Sequence, residues 1–307
     1  MPWIVGIDEA GYGPNLGPFV MTSVACRVAE QHRRACLWKV LRHAACRPED
    51  EPGSRLVVGD SKAVYSPARG LGALERTVQS FVTARALTLA EFVAQLGPDS
   101  HGELQAEAWY TGDTPLPLHA DDFPHNGPRH HAEVQWGPIR CVIICPTAFN
   151  AVLDRHGSKG AVLTSAALRL LGRLPDTSEY IQVQIDKHGG RNTYAANLQP
   201  AFSDGMVLAR EEGELRSLYE VEDRGRQIEI TIEPRADGHY FCVALASMFS
   251  KYLRELLMLE FNDFWRSRVP GLKPTAGYPT DASRFWSDIR PTVLKLGMKE
   301  DALWRRR

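Results

Sequence analysis

The sequence predicts an α/β protein with a mixed central sheet flanked by helices, and three observations lead there. Strand-type runs alternate with helix-type segments along the chain, the order expected of a sheet covered by helices. The runs at 4–7 and, apart from Arg140, 139–145 are apolar without alternation, as strands buried on both faces are. The 307 residues, 44% apolar and 24% charged, are enough to bury a sizeable core and argue against disorder.

Taken in order, a strand over 3–9 and a second apolar run, Phe19 to Val28, predict an antiparallel pair. Residues 29–46 carry helical spacing, with Leu37, Val40 and Leu41 on one side. Leu56-Val57-Val58 is a short apolar piece running into Gly59-Asp60-Ser61-Lys62. A helix is expected from near Pro67 toward Arg85, because proline suits a first turn. Residues 111–138, with several Pro and Gly and four histidines, read as a surface insertion. Ile139 to Cys145 is a buried strand, helices follow at 147–155 and 159–173, and Tyr180 to Asp186 is another strand. Residues 205–233 read as an added β-hairpin turning at Asp223-Arg224-Gly225-Arg226. Residues 239–265 form one long helix or two abutting ones, a further helix covers 281–289, and the chain closes on Arg305-Arg306-Arg307. This gives one domain over 1–290, with insertions at about 111–138 and 187–236, and a basic C-terminal tail at 291–307.

A net charge of -1 gives no global basic signature, so a nucleic-acid partner would need locally concentrated positive charge. There is no apolar run of membrane-spanning length and no leader-like N-terminus. Six cysteines without a CxxC pair read as reduced, buried thiols of a cytoplasmic protein.

The chemistry centres on residues 4–18. An apolar strand ends in Asp8-Glu9 and runs into a turn holding Gly11, Gly13 and Gly17. Carboxylates at the mouth of a buried strand need a cationic partner, and a divalent metal accepts hard oxygen ligands. Glycines beside them let backbone amides approach an anion or a sugar. Asp186 and Asp237 also sit at a strand end or beside a helix start, so four carboxylates can converge at one sheet edge. Two Mg²⁺ or Mn²⁺ ions would neutralise such a set. The bland reading of each aspartate alone is a turn former or a cap.

The ordered motifs resemble the type 2 ribonuclease H (ribonuclease HII) family of the ribonuclease H-like superfamily. They are Gly6-Ile7-Asp8-Glu9-Ala10-Gly11-Tyr12-Gly13-Pro14 with Gly17-Pro18, Asp60-Ser61-Lys62, Ile185-Asp186, the helix from Ala246-Ser247 to Arg254-Glu255, and Gly277-Tyr278-Pro279-Thr280. The resemblance covers about 3–62, 139–186 and 237–290. It implies a ribonuclease H-like fold with family-atypical insertions and a helical C-terminal part. It also implies a metal-dependent endoribonuclease acting on RNA–DNA hybrids or on ribonucleotides embedded in DNA, leaving 3′-OH and 5′-phosphate ends.

Carried over by residue, Asp8, Glu9, Asp186 and Asp237 would be catalytic metal ligands for Mg²⁺ or Mn²⁺. Gly11, Tyr12, Gly13, Ser61, Lys62, Lys251, Arg254 and Tyr278 would meet the substrate, and the protein would act as a monomer away from membranes. This chain departs from the family at Tyr12, where the turn usually carries Arg or Lys. It departs again at Lys187 after the third carboxylate, at Ser283 in place of a His, and in the long 187–236 segment. An alternative is therefore a weak or inactive nucleic-acid-binding relative. A dinucleotide-binding reading of Gly11, Gly13 and Gly17 fails, since the spacing misses the fingerprint by one. Glu233 is a fallback fourth ligand. His188 and His239, each two residues after an aspartate, suggest a proton shuttle, although histidines beside turns are common. His119, His125, His130 and His131 lack zinc-site spacing.

Overall fold

The computed structural model describes residues 1–82, 84–119, 131–187 and 189–306. The strands are β1 (Trp3–Ala10), β2 (Phe19–Val28), β3 (Ala45–Cys46), β4 (Leu56–Val57), β5 (Val134–Ile144), β6 (Ile181–Asp186), β7 (Met206–Glu212), β8 (Ser217–Asp223) and β9 (Arg226–Glu233). The early helices are α1 (Leu37–Val40), α2 (Ser61–Val64), α3 (Gly72–Phe81), α4 (Leu89–Leu96) and α5 (Pro98–Gln105). They are followed by α6 (Pro146–His156), α7 (Lys159–Leu171), α8 (Ala195–Leu198), α9 (Ala236–His239), α10 (Phe241–Arg266) and α11 (Pro279–Lys295).

One seven-stranded sheet runs in the order β5-β2-β1-β6-β9-β8-β7. β2 is antiparallel to β1 and β5, β6 is parallel to β1 and β9, and β8 is antiparallel to β9 and β7. The sheet is mixed, as its sequence pattern predicts. Alternation along β1 and β2 splits the core into two layers. Ile4, Val20 and Val24 pack with Leu245, Phe249 and Leu253 of α10 on one face. Val5, Ile7 and Met21 pack with Val162, Ala166 and Leu170 of α7 on the other. Gly6 sets the approach of α10, because a Cβ there would lie 2.1 Å from the Cys242 carbonyl carbon.

Several boundaries move. Residues 29–46 are not one helix but a 3-10 turn, the single-turn α1 and β3. Their apolar side chains are buried by pairing β3 with β4 and by Trp38, whose Nε1 donates to the Val58 carbonyl at 2.9 Å. The helix expected from Pro67 starts at Gly72, since the amides of Arg69 and Gly70 close a separate turn on the Ser66 carbonyl. Helices α4 and α5 fill a stretch the pattern leaves unassigned. β5 begins at Val134, inside the stretch expected as a surface insertion. Residues 111–118 are held by buried Glu260 and Glu75, which accept backbone amides from Thr111, Gly112 and Leu118. The hairpin turn falls between Asp223 and Arg226 as expected. Its second strand, however, is β9, which pairs with β6 inside the main sheet; β8 and β7 extend the edge beyond it. α11 runs on to Lys295, and residues 303–306 fold back onto the glycine turn after β1.

No helix among the described residues is long and apolar enough to cross a membrane. The six cysteines are free thiols, five of them buried. His125, His130, His188 and Arg307 lie outside the described residues.

Candidate active site

β1 and β6 run parallel with Ile7 opposite Ile185, so Asp8 and Asp186 leave the same edge of the sheet. Asp8 is 6% exposed, and its Oδ1 accepts the Glu9 amide at 2.7 Å. The Ser250 hydroxyl of α10 lies 3.0 Å from the Asp8 carbonyl and fixes the strand end to the helix. Asp186 Oδ1 accepts the Ala236 amide at 2.8 Å, which seats the start of α9 on β6 and brings Asp237 to the same edge. The residue before this helix, Arg235, is left-handed (φ 57°), a conformation that costs a side chain of this size about 1–2 kcal/mol. The chain turns sharply there to deliver Asp237.

The four predicted carboxylates feel one another. Burial pushes the Asp8 carboxyl well above the usual range, and Glu9, Asp186 and Asp237 push it further. Burial and then Asp186 raise Glu9 to about 7, with Asp8 and Lys62 opposing. Burial raises Asp186, against the amides of Ala236 and Lys187. Burial, Asp60 and Asp186 raise Asp237 to about 6. Charges of one sign, withdrawn from water, hold their protons for these two reasons.

Asp60 belongs to this set, although sequence reasoning singled out only its neighbours Ser61 and Lys62. The available signal was its N-cap position: its Oδ1 accepts the Lys62 amide at 2.9 Å and so starts α2. Lys62 is the cation that recurs in the balance of Glu9, Asp186 and Asp237.

These residues suit a divalent metal by chemistry. They offer hard oxygens, they repel one another, and Glu9 Oε2 is buried without a hydrogen-bond partner among the described residues. No three His, Cys, Asp or Glu side chains among the described residues already stand as a ligand group. The carboxylates are thus brought into one electrostatic cluster but not into a closed coordination shell.

The glycine turn follows at once. Gly11 is left-handed (φ 88°), and a Cβ there would meet Arg254 Nε at 2.5 Å. Tyr12 is half-buried and Gly13 exposed, with the Tyr278 ring 3.7 Å from where a Gly13 Cβ would stand. Tyr278 is 48% exposed, an aromatic face open beside the turn.

Other predicted contacts are oriented differently. Ser61 is buried, and its hydroxyl meets Ser247 Oγ of α10 at 3.2 Å, so it faces inward. Lys251 Nζ is 2.6 Å from Glu255 Oε1 and 4.6 Å from the Tyr65 ring centroid. Arg254 is 1% exposed, with Nη2 donating to the Ala276 carbonyl at 2.9 Å. It packs under the turn. Glu233 ends β9 opposite Asp186 and is engaged by Arg216 Nε (3.3 Å), by the Tyr240 hydroxyl (3.1 Å) and, more distantly, by exposed His239 (3.7 Å). The β7–β8 loop returns to this edge, where Lys187 Nζ reaches Asn192 Oδ1 at 2.6 Å and the Gly213 carbonyl at 3.4 Å. Arg305, expected in a basic tail, is fully buried and donates to the Gly11 carbonyl at 2.7 Å. No local pattern marks such a residue, because its partner lies at the other end of the chain.

No family model matches this sequence, and no curated protein matches it. Solved structures do. Ribonuclease H2 from Pyrococcus horikoshii aligns over 98% of this chain and 92% of its own at 14% identity, with a TM-score of 0.50. The RNase HII of a PCNA:RNase HII complex from Archaeoglobus fulgidus aligns over 99% and 94% at 14% identity (TM-score 0.47). Bst-RNase HIII in complex with Mn2+ aligns over 99% and 66% at 16% identity (TM-score 0.46). At such identities a likeness shows the fold alone. The chain adopts the ribonuclease H-like fold, a mixed sheet between helices, over nearly its whole length.

Proposed function

We propose that this protein is a metal-dependent endoribonuclease that hydrolyses the RNA strand of RNA–DNA hybrids, or a ribonucleotide embedded in duplex DNA, giving 3′-OH and 5′-phosphate ends. The observation that carries this reading is the electrostatic cluster of Asp8, Glu9, Asp186 and Asp237 at one sheet edge of a ribonuclease H-like fold. These four side chains would hold Mg²⁺ or Mn²⁺, which when bound would polarise the scissile phosphate and supply hydroxide at neutral pH. Lys62 sits at the rim as the ammonium that meets the substrate backbone and offsets the acids. Tyr278 offers its exposed ring for stacking on a base or sugar next to the glycine turn. Tyr12 and Gly13 present backbone amides to the strand. Free thiols throughout suit a reducing cytoplasm, and we place the protein there as a monomer.

A second reading, a hybrid-binding protein without useful turnover, draws on two observations. Its acids do not already stand as a ligand group, and Tyr12 occupies the centre of the turn. One experiment separates the two. The protein is incubated with Mg²⁺ or Mn²⁺ and a duplex carrying one ribonucleotide, or a full RNA–DNA hybrid, alongside Asp8→Asn. The enzyme reading expects cleavage by the wild type and none by Asp8→Asn. Binding without cleavage under either metal supports the second reading and sinks the first.

A further inference from the structure

Two guanidinium groups lie buried beneath the glycine turn, and the carboxylate chemistry above does not use them. Arg254, 1% exposed, reaches the turn from α10, and its Nε lies against Gly11 without a hydrogen-bond partner among the described residues. Arg305, fully buried, comes from the far end of the chain. Its Nη1 donates to the Gly11 carbonyl at 2.7 Å, its carbon Cζ sits 4.8 Å from the Phe149 ring centroid, and its Nε and Nη2 have no hydrogen-bond partner among the described residues. The backbone around it is pinned. Arg305 N donates to the Asn15 carbonyl at 2.7 Å, Asn15 Nδ2 donates back to the Arg305 carbonyl at 2.9 Å, and Trp304 bridges Leu16.

A buried cation normally meets a carboxylate, since an uncompensated charge in a protein interior is costly. Arg254 has Glu255 at 3.5 Å. Among the described residues, the groups that act most on Arg305 are Arg254, Cys145 and Tyr278, none of them a carboxylate. Burial and Arg254 pull Arg305 down to about 9, which leaves it charged at neutral pH. The Gly11 carbonyl accepts from Arg305, so the Tyr12 amide of the same trans peptide points the other way, and the Tyr12 and Gly13 amides have no backbone acceptor among the described residues. Fixed positive charge under free amides makes an anion-attracting surface. Tyr12 adds no charge to the turn from above, so the charge arrives from below.

We propose that Arg305, docked beneath the glycine turn beside Arg254, is a positioning residue that holds the Tyr12 and Gly13 amides toward a phosphate of the bound strand and supplies the charge that attracts it. This deepens the nucleic-acid reading above and rests on it for the identity of the ligand. Arg305 acts through the Gly11 carbonyl and through its field, because its own free nitrogens are shielded from solvent.

The test compares full-length wild type with Arg305→Lys, which keeps charge and donor, and Arg305→Gln, which keeps a donor and loses the charge. Fluorescence anisotropy reads the affinity for an RNA–DNA duplex across a salt series, and thermal shift reads stabilisation by inorganic phosphate. Arg305→Gln is expected to weaken duplex binding about tenfold and to flatten the salt dependence by up to about one unit of slope. It should also abolish the phosphate-induced shift, and Arg305→Lys should restore most of all three. A merely structural arginine would lower Tm in both variants and leave the salt slope alone. Equal slopes and phosphate shifts in Arg305→Gln and wild type overturn the proposal, as does a wild type that binds neither probe. Phosphate protection that needs Arg305, in a wild type that does not bind the duplex, would leave the subsite standing and remove the nuclease reading.

Discussion

The carboxylates at the sheet edge make a prediction about pH that does not depend on turnover. Asp8, Glu9, Asp186 and Asp237 all hold their protons more tightly in the folded chain than carboxyls ordinarily do, Glu9 to about 7 and Asp237 to about 6. Between ordinary carboxyl values near 4 and these raised ones, the folded protein binds more protons than the unfolded chain, so stability falls as pH rises. Metal-free protein is therefore expected to have a higher Tm at pH 5 than at pH 8. For Glu9 alone the contribution lost is on the order of 2–3 kcal/mol. Mg²⁺ or Mn²⁺ should recover stability at pH 8 and do little at pH 5, because ligands must be deprotonated to bind. Asp186→Asn should flatten the pH dependence of Tm measured without metal. A Tm that rises steadily from pH 5 to pH 8 would contradict the cluster. Asp8, Glu9 and Asp186 were readable as acids ending apolar strands. The contribution of Asp60 was not, since an aspartate before Ser-Lys reads equally well as a helix cap.

At the scale of elements, α10 is the support of the site. It lies across β1 because Gly6 has no side chain, and Ser250 on the same helix meets the Asp8 carbonyl. Gly6→Ala places a Cβ on backbone atoms of Cys242, which cannot rotate away, so the helix must lift. We expect a loss of about 3 kcal/mol in urea unfolding, near the upper end of overpacking costs. On the proposed function, cleavage should fall further than stability explains, because Asp8 moves with the strand. Ser250→Ala should cost about 1 kcal/mol by the same measurement, as a single buried hydrogen bond does. β1, β2, β5, β6 and α10 were legible because their burial pattern is set by their own residues. The 29–46 segment carries helical spacing without forming one helix, because its apolar side chains are satisfied by the β3–β4 pairing and by Trp38 on Val58, contacts with residues further along the chain. The 205–233 hairpin was legible as strands and a turn, but local sequence cannot say that β9 would pair with β6.

Across the whole molecule, the two ends of the sequence meet at the glycine turn. Trp304 bridges Leu16, Arg305 holds Gly11 and Asn15, and Asn150 at α6 accepts the Arg306 amide at 2.9 Å. Removing residues from Leu303 onward is expected to leave the central sheet folded and to speed amide exchange over residues 11–17, read by hydrogen–deuterium exchange. Unchanged protection of that turn would show the docking to be incidental. The β7–β8 loop also returns to the carboxylate edge through Lys187, which puts the 187–236 segment beside the candidate site.

The sequence by itself determined the mixed α/β architecture, the main strands, the long helix and which carboxylates stand at strand ends or beside a helix start. Each of these follows from burial periodicity and from charges placed at strand ends, which are properties of neighbouring residues. Tertiary structure decided that Ser61 faces inward, that Asp60 shares the charge of the acidic edge and that Arg305 stands under the glycine turn. Those outcomes depend on contacts between residues as far apart as 11 and 305, and no local pattern encodes which distant group will fill the space beneath a turn.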